Sequence, residues 1–175
     1  AGRPGQPEPP GREPAAALRH DRIVDIFQVG EDRGVPYIAL EYLEGETLED
    51  RLRRDGKLPI AEAIRIAREA AEGLAAAHDR GLIHRDVKPS NIWLESKLDG
   101  SSSVKLLDFG LARVLSDDPS LTESGAVVGT PAYMAPEQAR AEKVDARSDL
   151  FSLGCVLYRM CTGQQPFQGA NTTAV

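Results

Sequence analysis

The sequence reads HRDVKPSN at residues 84–91, followed by DFG at 108–110 and APE at 135–137, and these three motifs determine the fold. Taken alone, each is common: His-Arg-Asp occurs in surface turns, and Asp-Phe-Gly occurs where a strand ends in a turn. The first two motifs supply two carboxylates, one carboxamide and one ammonium group in a fixed order, and APE adds a third carboxylate. Carboxylate and amide oxygens are the hard ligands that Mg²⁺ prefers. The three motifs therefore predict one shared site.

With Lys88 and Asn91 in place, the motifs resemble those of the eukaryotic-like (Hanks-type) bacterial serine/threonine protein kinases. The resemblance runs from Leu18 to about Thr173, from before the kinase hinge to the loop after the central helix of the C-terminal lobe. It implies an α+β, protein-kinase-like fold, with a mostly helical C-terminal lobe and a residual β-hairpin of the N-terminal lobe. It also implies ATP and Mg²⁺ as cofactors and protein Ser/Thr hydroxyls as phosphate acceptors.

The resemblance implies a role for each polar residue of the motifs. Asp86 would orient the attacking hydroxyl and accept its proton, a task that suits a positioned carboxylate. Lys88 would place a positive charge beside the transferring phosphoryl group. Asn91 and Asp108 would hold Mg²⁺ from two separate loops. His84 is interpreted as a packing and hydrogen-bonding residue.

The stretch EYLEG at 41–45 resembles the kinase hinge, with Leu40 before it as gatekeeper. Backbone groups of Glu41 and Leu43 would then meet the edge of adenine. Trp93, the only tryptophan, would form the apolar floor beneath the base. An equal alternative is that Trp93 simply fills the core.

The stretch 111–128 resembles a kinase activation loop. Arg85 is typical of kinases that are switched on when this loop is phosphorylated, because an Arg can bind the nearly two negative charges that a phosphate adds. Thr122 and Ser124 stand where bacterial relatives carry autophosphorylation sites. The alternative is a solvated loop that is merely rich in Ser and Thr.

Three more residues receive roles from the resemblance. The hydroxyl of Thr130 would hydrogen-bond Asp86 and Lys88, which would couple substrate docking to the base. Glu137 would pair with an Arg of a later helix, and it is expected to lack that partner here. Asp149 would support the backbone of the 84–91 loop from below; the alternative is a charge that stabilises a helix N-terminus.

The chain is predicted to divide into a Pro/Gly-rich disordered segment (1–14), a remnant of the kinase N-terminal lobe and hinge (15–43) and an incomplete C-terminal lobe (44–175). The first lysine is Lys57, past the hinge, and no G-x-G-x-x-G precedes it. The Gly-rich loop and strand lysine that bind ATP phosphates in kinases are thus absent from this sequence. A hairpin of two strands is marginal by itself, so its edge is expected to be unpaired and mobile.

Local patterns predict the secondary structure. Strands are expected at 23–29 and 35–40 around a turn at 31–34, and again at 92–94 and 104–107. Thr47 and Asp50 predict a capped helix. A helix over 60–78 would face the core with a stripe of apolar residues and one histidine. The members of that stripe are Ile64, Ala67, Ala71, Leu74 and His78. The central helix is expected over 149–161.

Composition fits a globular intracellular domain: 41% of residues are hydrophobic, 27% are charged and the net charge is −6. The acidic balance argues against nucleic acid as a partner, and the oligomeric state is left open. No run approaches the roughly 18 apolar residues of a membrane span, so the location is expected to be cytoplasmic, with any anchor in a later segment. Cys155 and Cys161 are expected to be free thiols, since six helical residues separate them by roughly 9 Å.

Two other functional classes remain. A truncated or degenerate kinase could act as a binding module without catalysis, and the missing phosphate-binding elements predict background turnover for these 175 residues alone. A kinase-like small-molecule phosphotransferase shares the His-x-Asp-x-x-x-x-Asn pattern. Lys88, Phe109-Gly110 and the APE motif argue against the phosphotransferase.

Overall fold

The computed structural model describes residues 19–109 and 131–167. The strands in this part are β1 (Ile26–Asp32), β2 (Val35–Leu40), β3 (Gly45–Thr47), β4 (Ile92–Ser96) and β5 (Ser102–Leu106). The α-helices are α1 (Leu48–Asp55), α2 (Ile60–His78), α3 (Pro136–Ala139) and α4 (Ala146–Thr162), and short 3-10 turns span Pro89–Asn91 and Pro131–Tyr133. None of the described helices is long and apolar enough to cross a membrane.

The predicted hairpin is present as the antiparallel pair β1–β2, joined by a two-residue turn between Asp32 and Val35. Arg33 and Gly34 both have positive φ (53° and 84°), as tight hairpin turns require. The start predicted at Ile23 is wrong. Ile23 is buried against β5, forming a parallel bridge to Leu106, so it belongs to the main core.

The hairpin leaves large apolar side chains uncovered by the described residues. Phe27 and Val35 are 64% and 65% exposed, and Val29, Tyr37 and Leu40 are also exposed. Among the described strands, β1 and β2 pair only with each other. Within the described residues, β1 and β2 thus have no further neighbouring strand, and several of the hairpin's apolar side chains face outward.

A second sheet has the strand order β3-β4-β5, antiparallel throughout. Strands β4 and β5 lie where strands were predicted at 92–94 and 104–107, but each extends two residues further toward the turn that joins them. Strand β3 was not predicted. Gly45 opens β3 with φ 132°, and a Cβ there would lie 2.1 Å from the carbonyl oxygen of Leu94. Only glycine fits this close approach of two backbones.

Helix α1 begins at the predicted cap. Thr47 Oγ1 accepts a hydrogen bond from the N–H of Asp50 at 3.1 Å, and its hydroxyl donates to the Asp50 carboxylate at 2.6 Å. The hydrogen bond from Thr47 lowers the pKa of Asp50. Gly56 ends the helix with φ 77°.

Helix α2 has the predicted bounds, and Leu74 is buried as predicted, but the buried face is shifted by about one residue from the predicted stripe. Ile64, expected inside, is exposed. The buried face consists of Ala63, Ile66, Glu69, Ala70, Gly73, Leu74 and Ala77. Because α2 contains many alanines, neighbouring apolar stripes have nearly equal hydrophobicity, and packing against α4 and β5 selects between them.

One buried carboxylate ties α2 to β5. Glu69 accepts the N–H of Val104 at 2.9 Å and forms ion pairs with Arg65 (2.9 Å) and Arg22 (2.8 Å). Burial alone would raise the pKa of Glu69, but the hydrogen bonds and the two guanidinium groups hold it below its ordinary value. Glu69 therefore stays charged in the core at neutral pH.

Helix α4 begins at Ala146, three residues before the predicted start, because Asp145 caps it by accepting the N–H of Arg147 at 2.9 Å. The helix ends at Gly163, which has φ 76°. Cys155 and Cys161 are free thiols, as predicted, and burial raises the pKa of Cys155. Helix α4 packs against α2 and carries one face of the core.

Candidate active site

Asp149, on α4, holds the backbone of the 84–91 loop. Its carboxylate accepts the N–H groups of His84 at 2.9 Å and Arg85 at 2.8 Å, and Nε2 of His78 lies 2.7 Å away. The side chain is 1% exposed. A buried carboxylate is stable only with such partners. The contact that the sequence suggested for Asp149 is therefore present in the structure.

Arg85 adopts a left-handed backbone conformation, with φ 66°. A residue other than glycine held in this region costs about 1–3 kcal/mol and persists only where its surroundings impose it. Asp149 is one such constraint, since it binds the N–H of Arg85. Asp86, the candidate base, comes directly after Arg85 in the chain.

His84 links the 84–91 loop to the end of β5. Its Nε2 lies 2.8 Å from the carbonyl oxygen of Leu107, and its Nδ1 accepts the N–H of Asp86 at 3.3 Å. The ring meets Phe109 edge-on at 4.5 Å. Because Nδ1 accepts, the neutral imidazole carries its proton on Nε2. Burial holds the pKa of His84 below its usual value.

Asp86, Lys88 and Asn91 meet within one loop. Lys88 Nζ lies 2.7 Å from Oδ2 of Asp86. Asn91, which is buried, donates from Nδ2 to the backbone oxygen of Asp86 at 2.8 Å and to its Oδ2 at 3.0 Å. Oxygen atoms can only accept here, so these contacts fix the amide orientation and leave Asn91 Oδ1 as the free acceptor among the described contacts.

Asp108 lies beside this cluster at the end of β5. The N–H of Leu107 donates to the backbone oxygen of Asn91 at 2.9 Å, so the backbone leading into Asp108 lies next to that of Asn91. Asp108 has φ 68°, a second left-handed residue in the site. No group of three or more His, Cys, Asp or Glu residues suited to a metal occurs in the described ranges. One carboxylate and one amide oxygen fit a Mg²⁺ ion that keeps waters and phosphate ligands.

The predicted nucleotide-binding residues lie where the two sheets meet. The backbone N–H of Glu41 donates to Asp25 at 3.0 Å, so of its backbone groups only the carbonyl remains for a ligand. The Glu41 carboxylate accepts from Lys105 Nζ at 2.5 Å. Trp93 pairs across strands with Lys105 and donates from Nε1 to the carbonyl oxygen of Glu44 at 3.3 Å. Leu40 is exposed and Leu43 half-buried.

Glu137 has a partner that the sequence did not predict. The hydroxyl of Ser148 donates to its carboxylate at 2.5 Å and lowers the pKa of Glu137. The arginine of a later helix that the resemblance implies is a different partner, and that expectation stays a prediction. The contact with Ser148 was not expected from the sequence. The reason is the early start of α4, which places Ser148 in its first turn opposite α3.

The segment 131–136 is also held by Arg159 of α4. Its guanidinium makes two 2.8 Å hydrogen bonds to the carboxylate of Glu49 on α1 and donates to the hydroxyl of Tyr133. Burial would lower the pKa of Arg159, but the hydrogen bonds to Glu49 and Tyr133 raise it. Burial raises the pKa of Tyr133. This network joins α1, α4 and the segment 131–136.

Several predicted residues fall outside the described ranges. These are Gly110, the loop 111–128 with Thr122 and Ser124, and Thr130. Their roles remain predictions.

The family model described as the protein kinase domain matches residues 13–175. The chain belongs to this family. The likeness of this kinase domain to Hanks-type bacterial serine/threonine kinases is thereby confirmed, as is its α+β kinase-like fold.

Curated relatives of this kinase domain are named serine/threonine-protein kinase PknB. The protein of Mycobacterium leprae is 46% identical over 165 residues, which are 92% of this chain and 26% of the relative. That of Mycolicibacterium smegmatis is 47% identical over 166 residues, with the same shares. A probable PknB of Corynebacterium glutamicum is 43% identical over 163 residues, 90% of this chain and 25% of the relative. The chain spans about a quarter of the length of these relatives.

Sequence reasoning missed four residues of the kinase domain that hold the site in place. They are His78, Gln138, Arg159 and Glu49. Each acts through a contact that spans 53 or more residues of the chain. In the sequence, the opposite charges of Glu49 and Arg159 were the only signal for these contacts. Many other Glu/Arg combinations in the chain have the same complementarity, so the signal did not identify this pair.

The Arg159–Glu49 pair is expected to contribute about 1 kcal/mol of coupling energy to stability. Both side chains are partly buried and the contact is bidentate, which makes it stronger than an exposed pair. A double-mutant cycle with Arg159→Met and Glu49→Gln in urea denaturation measures the coupling. The exposed pair Arg53–Asp50 is the control, with about 0.5 kcal/mol or less expected. Equal coupling in both cycles would contradict the prediction.

His84 is expected to make stability depend on pH. Its folded-state pKa is lowered by burial, so the unfolded chain takes up the proton first. The stabilisation is therefore complete above about pH 6.5 and is lost as the pH falls. Between about pH 7.5 and about pH 5.5 the wild type should lose up to about 1.4 kcal/mol more than His84→Asn. Urea denaturation midpoints of both proteins at both pH values test this. Equal losses of stability in the wild type and His84→Asn would contradict the prediction.

Proposed function

We propose that the protein carrying this kinase domain transfers the γ-phosphate of ATP to Ser and Thr hydroxyls of proteins. The observation that carries the proposal is the cluster in the 84–91 loop, where Asp86 contacts both Lys88 (2.7 Å) and Asn91 (3.0 Å). The curated relatives, each named a serine/threonine-protein kinase, support the same activity.

Each residue of the cluster has a defined task in this proposal. Asp86, half-buried and anchored by two neighbours, aligns the acceptor hydroxyl and takes its proton. Lys88 neutralises charge on the transferring group. Asn91 Oδ1 and the carboxylate of Asp108 would hold Mg²⁺, which when bound to ATP neutralises phosphate charge. Phosphoryl transfer needs alignment and electrostatics more than covalent chemistry, which these fixed groups supply.

ATP is proposed to bind between the two sheets. The carbonyl oxygen of Glu41 and the backbone of Leu43 would meet adenine, with Leu40 and Trp93 as apolar contacts. The hydrogen bond from Trp93 Nε1 to Glu44 supports this arrangement, because it fixes the indole beside the hinge. The boundaries 1–14, 15–43 and 44–175 for the disordered segment, lobe remnant and C-terminal lobe belong to the same proposal.

Control by phosphorylation is proposed for the loop 111–128. Thr122 and Ser124 would be the modified residues and Arg85 the residue that binds the phosphate. Thr130 would connect the docking segment to Asp86. The exposure of Arg85 is compatible with a phosphate ligand.

A second candidate function has one observation in its favour. These 175 residues contain no Gly-rich loop and no lysine before Lys57. These residues by themselves lack the usual anchors for ATP phosphates. A protein that lacks such anchors throughout would act as a non-catalytic binding module. The small-molecule phosphotransferase is not supported, since the named relatives act as protein kinases by their descriptions.

Incubating the full-length gene product with MgATP and a generic Ser/Thr substrate distinguishes the two functions. Mass spectrometry should find phosphate on Ser or Thr, dependent on Mg²⁺ and on Asp86. A protein that transfers no phosphate and binds no nucleotide would instead be the binding module. The 175 residues alone should show background turnover, and robust turnover would prove the phosphate-binding elements dispensable.

A further inference from the structure

Gln138, on α3, connects two segments of the candidate active site through one carboxamide. Its Nε2 donates to the carbonyl oxygen of Arg85 at 2.7 Å, and its Oε1 accepts the N–H of Ala135 at 3.1 Å. A carbonyl oxygen can only accept and an N–H can only donate, so both contacts require the same amide orientation. The side chain therefore bridges the 84–91 loop and the segment 131–136.

Arg85 is the residue whose backbone most needs this support. Its φ of 66° lies in a region that residues other than glycine seldom occupy. Asp149 binds its N–H at 2.8 Å, and Gln138 binds its carbonyl oxygen. The peptide groups on both sides of Arg85 are thus fixed. Because Asp86 follows directly, these contacts also fix the direction in which its side chain extends from the loop.

The other end of the bridge is anchored as firmly. Ala135 is buried, and its carbonyl oxygen accepts the N–H of Ala139 in α3 at 3.1 Å. Glu137, beside Gln138, is bound by Ser148 of α4. A small cleft separates the two bridged segments. Arg85, Asp86 and Gln138 are among the residues that line it.

We propose that Gln138 is a positioning residue that couples the placement of the segment 131–136 to the orientation of Asp86. If the segment shifts, the carboxamide cannot satisfy Ala135 and Arg85 together, and the strained backbone at Arg85 loses one of its two constraints. The consequence for phosphoryl transfer rests on the proposed kinase function; the coupling between the two segments does not.

Three variants separate the two halves of the bridge. Gln138→Glu keeps an acceptor for Ala135 but has no donor for Arg85. Gln138→Lys keeps a donor but has no acceptor, and Gln138→Ala removes both. Gln164→Glu is the matched control, because Gln164 is exposed and its side chain makes no hydrogen bond within the described ranges.

Amide hydrogen exchange of the full-length protein, measured without nucleotide, tests the two hydrogen bonds of Gln138 separately. Losing one hydrogen bond should accelerate exchange about tenfold. Gln138→Glu should accelerate exchange in residues 84–87 and leave the Ala135 amide protected, while Gln138→Lys should do the reverse. Gln138→Ala should accelerate both, and Gln164→Glu neither. Wild-type exchange at both places in Gln138→Ala would overturn the inference.

Steady-state kinetics test whether this coupling affects phosphoryl transfer. For Gln138→Glu, kcat should fall about tenfold while the KM for ATP stays unchanged, because Asn91 and Asp108 are untouched. Altered exchange with wild-type kcat would overturn the coupling to Asp86. If the wild type transfers no phosphate at all, the proposed function fails, and the exchange pattern of the three variants still decides whether the segments are coupled.

Discussion

Replacing Asp86 by Asn should lower kcat for phosphoryl transfer by roughly 10²–10⁴-fold. The carboxylate is held by Lys88 Nζ at 2.7 Å and Asn91 Nδ2 at 3.0 Å, so it is aligned before substrate arrives. An amide has nearly the same shape but cannot accept the hydroxyl proton. Initial-rate measurements with a Ser/Thr peptide and MgATP on the full-length protein give kcat and both KM values.

The KM for ATP should change little in Asp86→Asn, because the proposed metal ligands are Asn91 and Asp108. Asp99→Asn is the control: Asp99 is exposed and, among the residues that the structure describes, accepts hydrogen bonds from Ser101 at the tip of the β4–β5 turn. Its kinetics should match the wild type. A fully active Asp86→Asn protein would remove Asp86 from the reaction and leave the proposed function without its base.

Replacing Asp149 by Asn should destabilise the protein by about 1–3 kcal/mol, the usual cost of leaving a buried donor unsatisfied. Total stability is typically about 5–15 kcal/mol, so this one change removes a large part of it. The carboxylate accepts from both His84 and Arg85, with His78 Nε2 at 2.7 Å from Oδ2. An amide would turn its NH₂ group toward one of these donors and leave it unsatisfied.

Urea denaturation followed by circular dichroism measures this loss. Asp145→Asn, at the N-terminus of α4, is the matched control. Asp145 is half-buried and caps the helix, and the bound Arg147 lowers its pKa to about 2. Asn also caps helices well, so the control should lose less than about 1 kcal/mol. Comparable losses in both variants would mean that Asp149 does not support the 84–91 loop.

Local features were predicted well because neighbouring residues decide them. Thr47 caps α1 through Asp50, three residues away, and Arg33-Gly34 form the hairpin turn. The errors arose where packing decides between similar local choices. In α2 the alternative apolar stripes differ little in hydrophobicity. The contacts with α4 and β5 therefore decided that Ile66, rather than Ile64, is buried in the core.

The sequence by itself determined the chemistry of the site: the spacing within 84–91 brings Asp86, Lys88 and Asn91 together, since a single loop cannot hold them far apart. Only the tertiary structure decided how that loop is held. Asp149 and Gln138 lie 64 and 53 residues from Arg85 along the chain, yet they bind its N–H and its carbonyl oxygen. Such contacts depend on which surfaces of distant elements meet during packing, and no local pattern of residues specifies that.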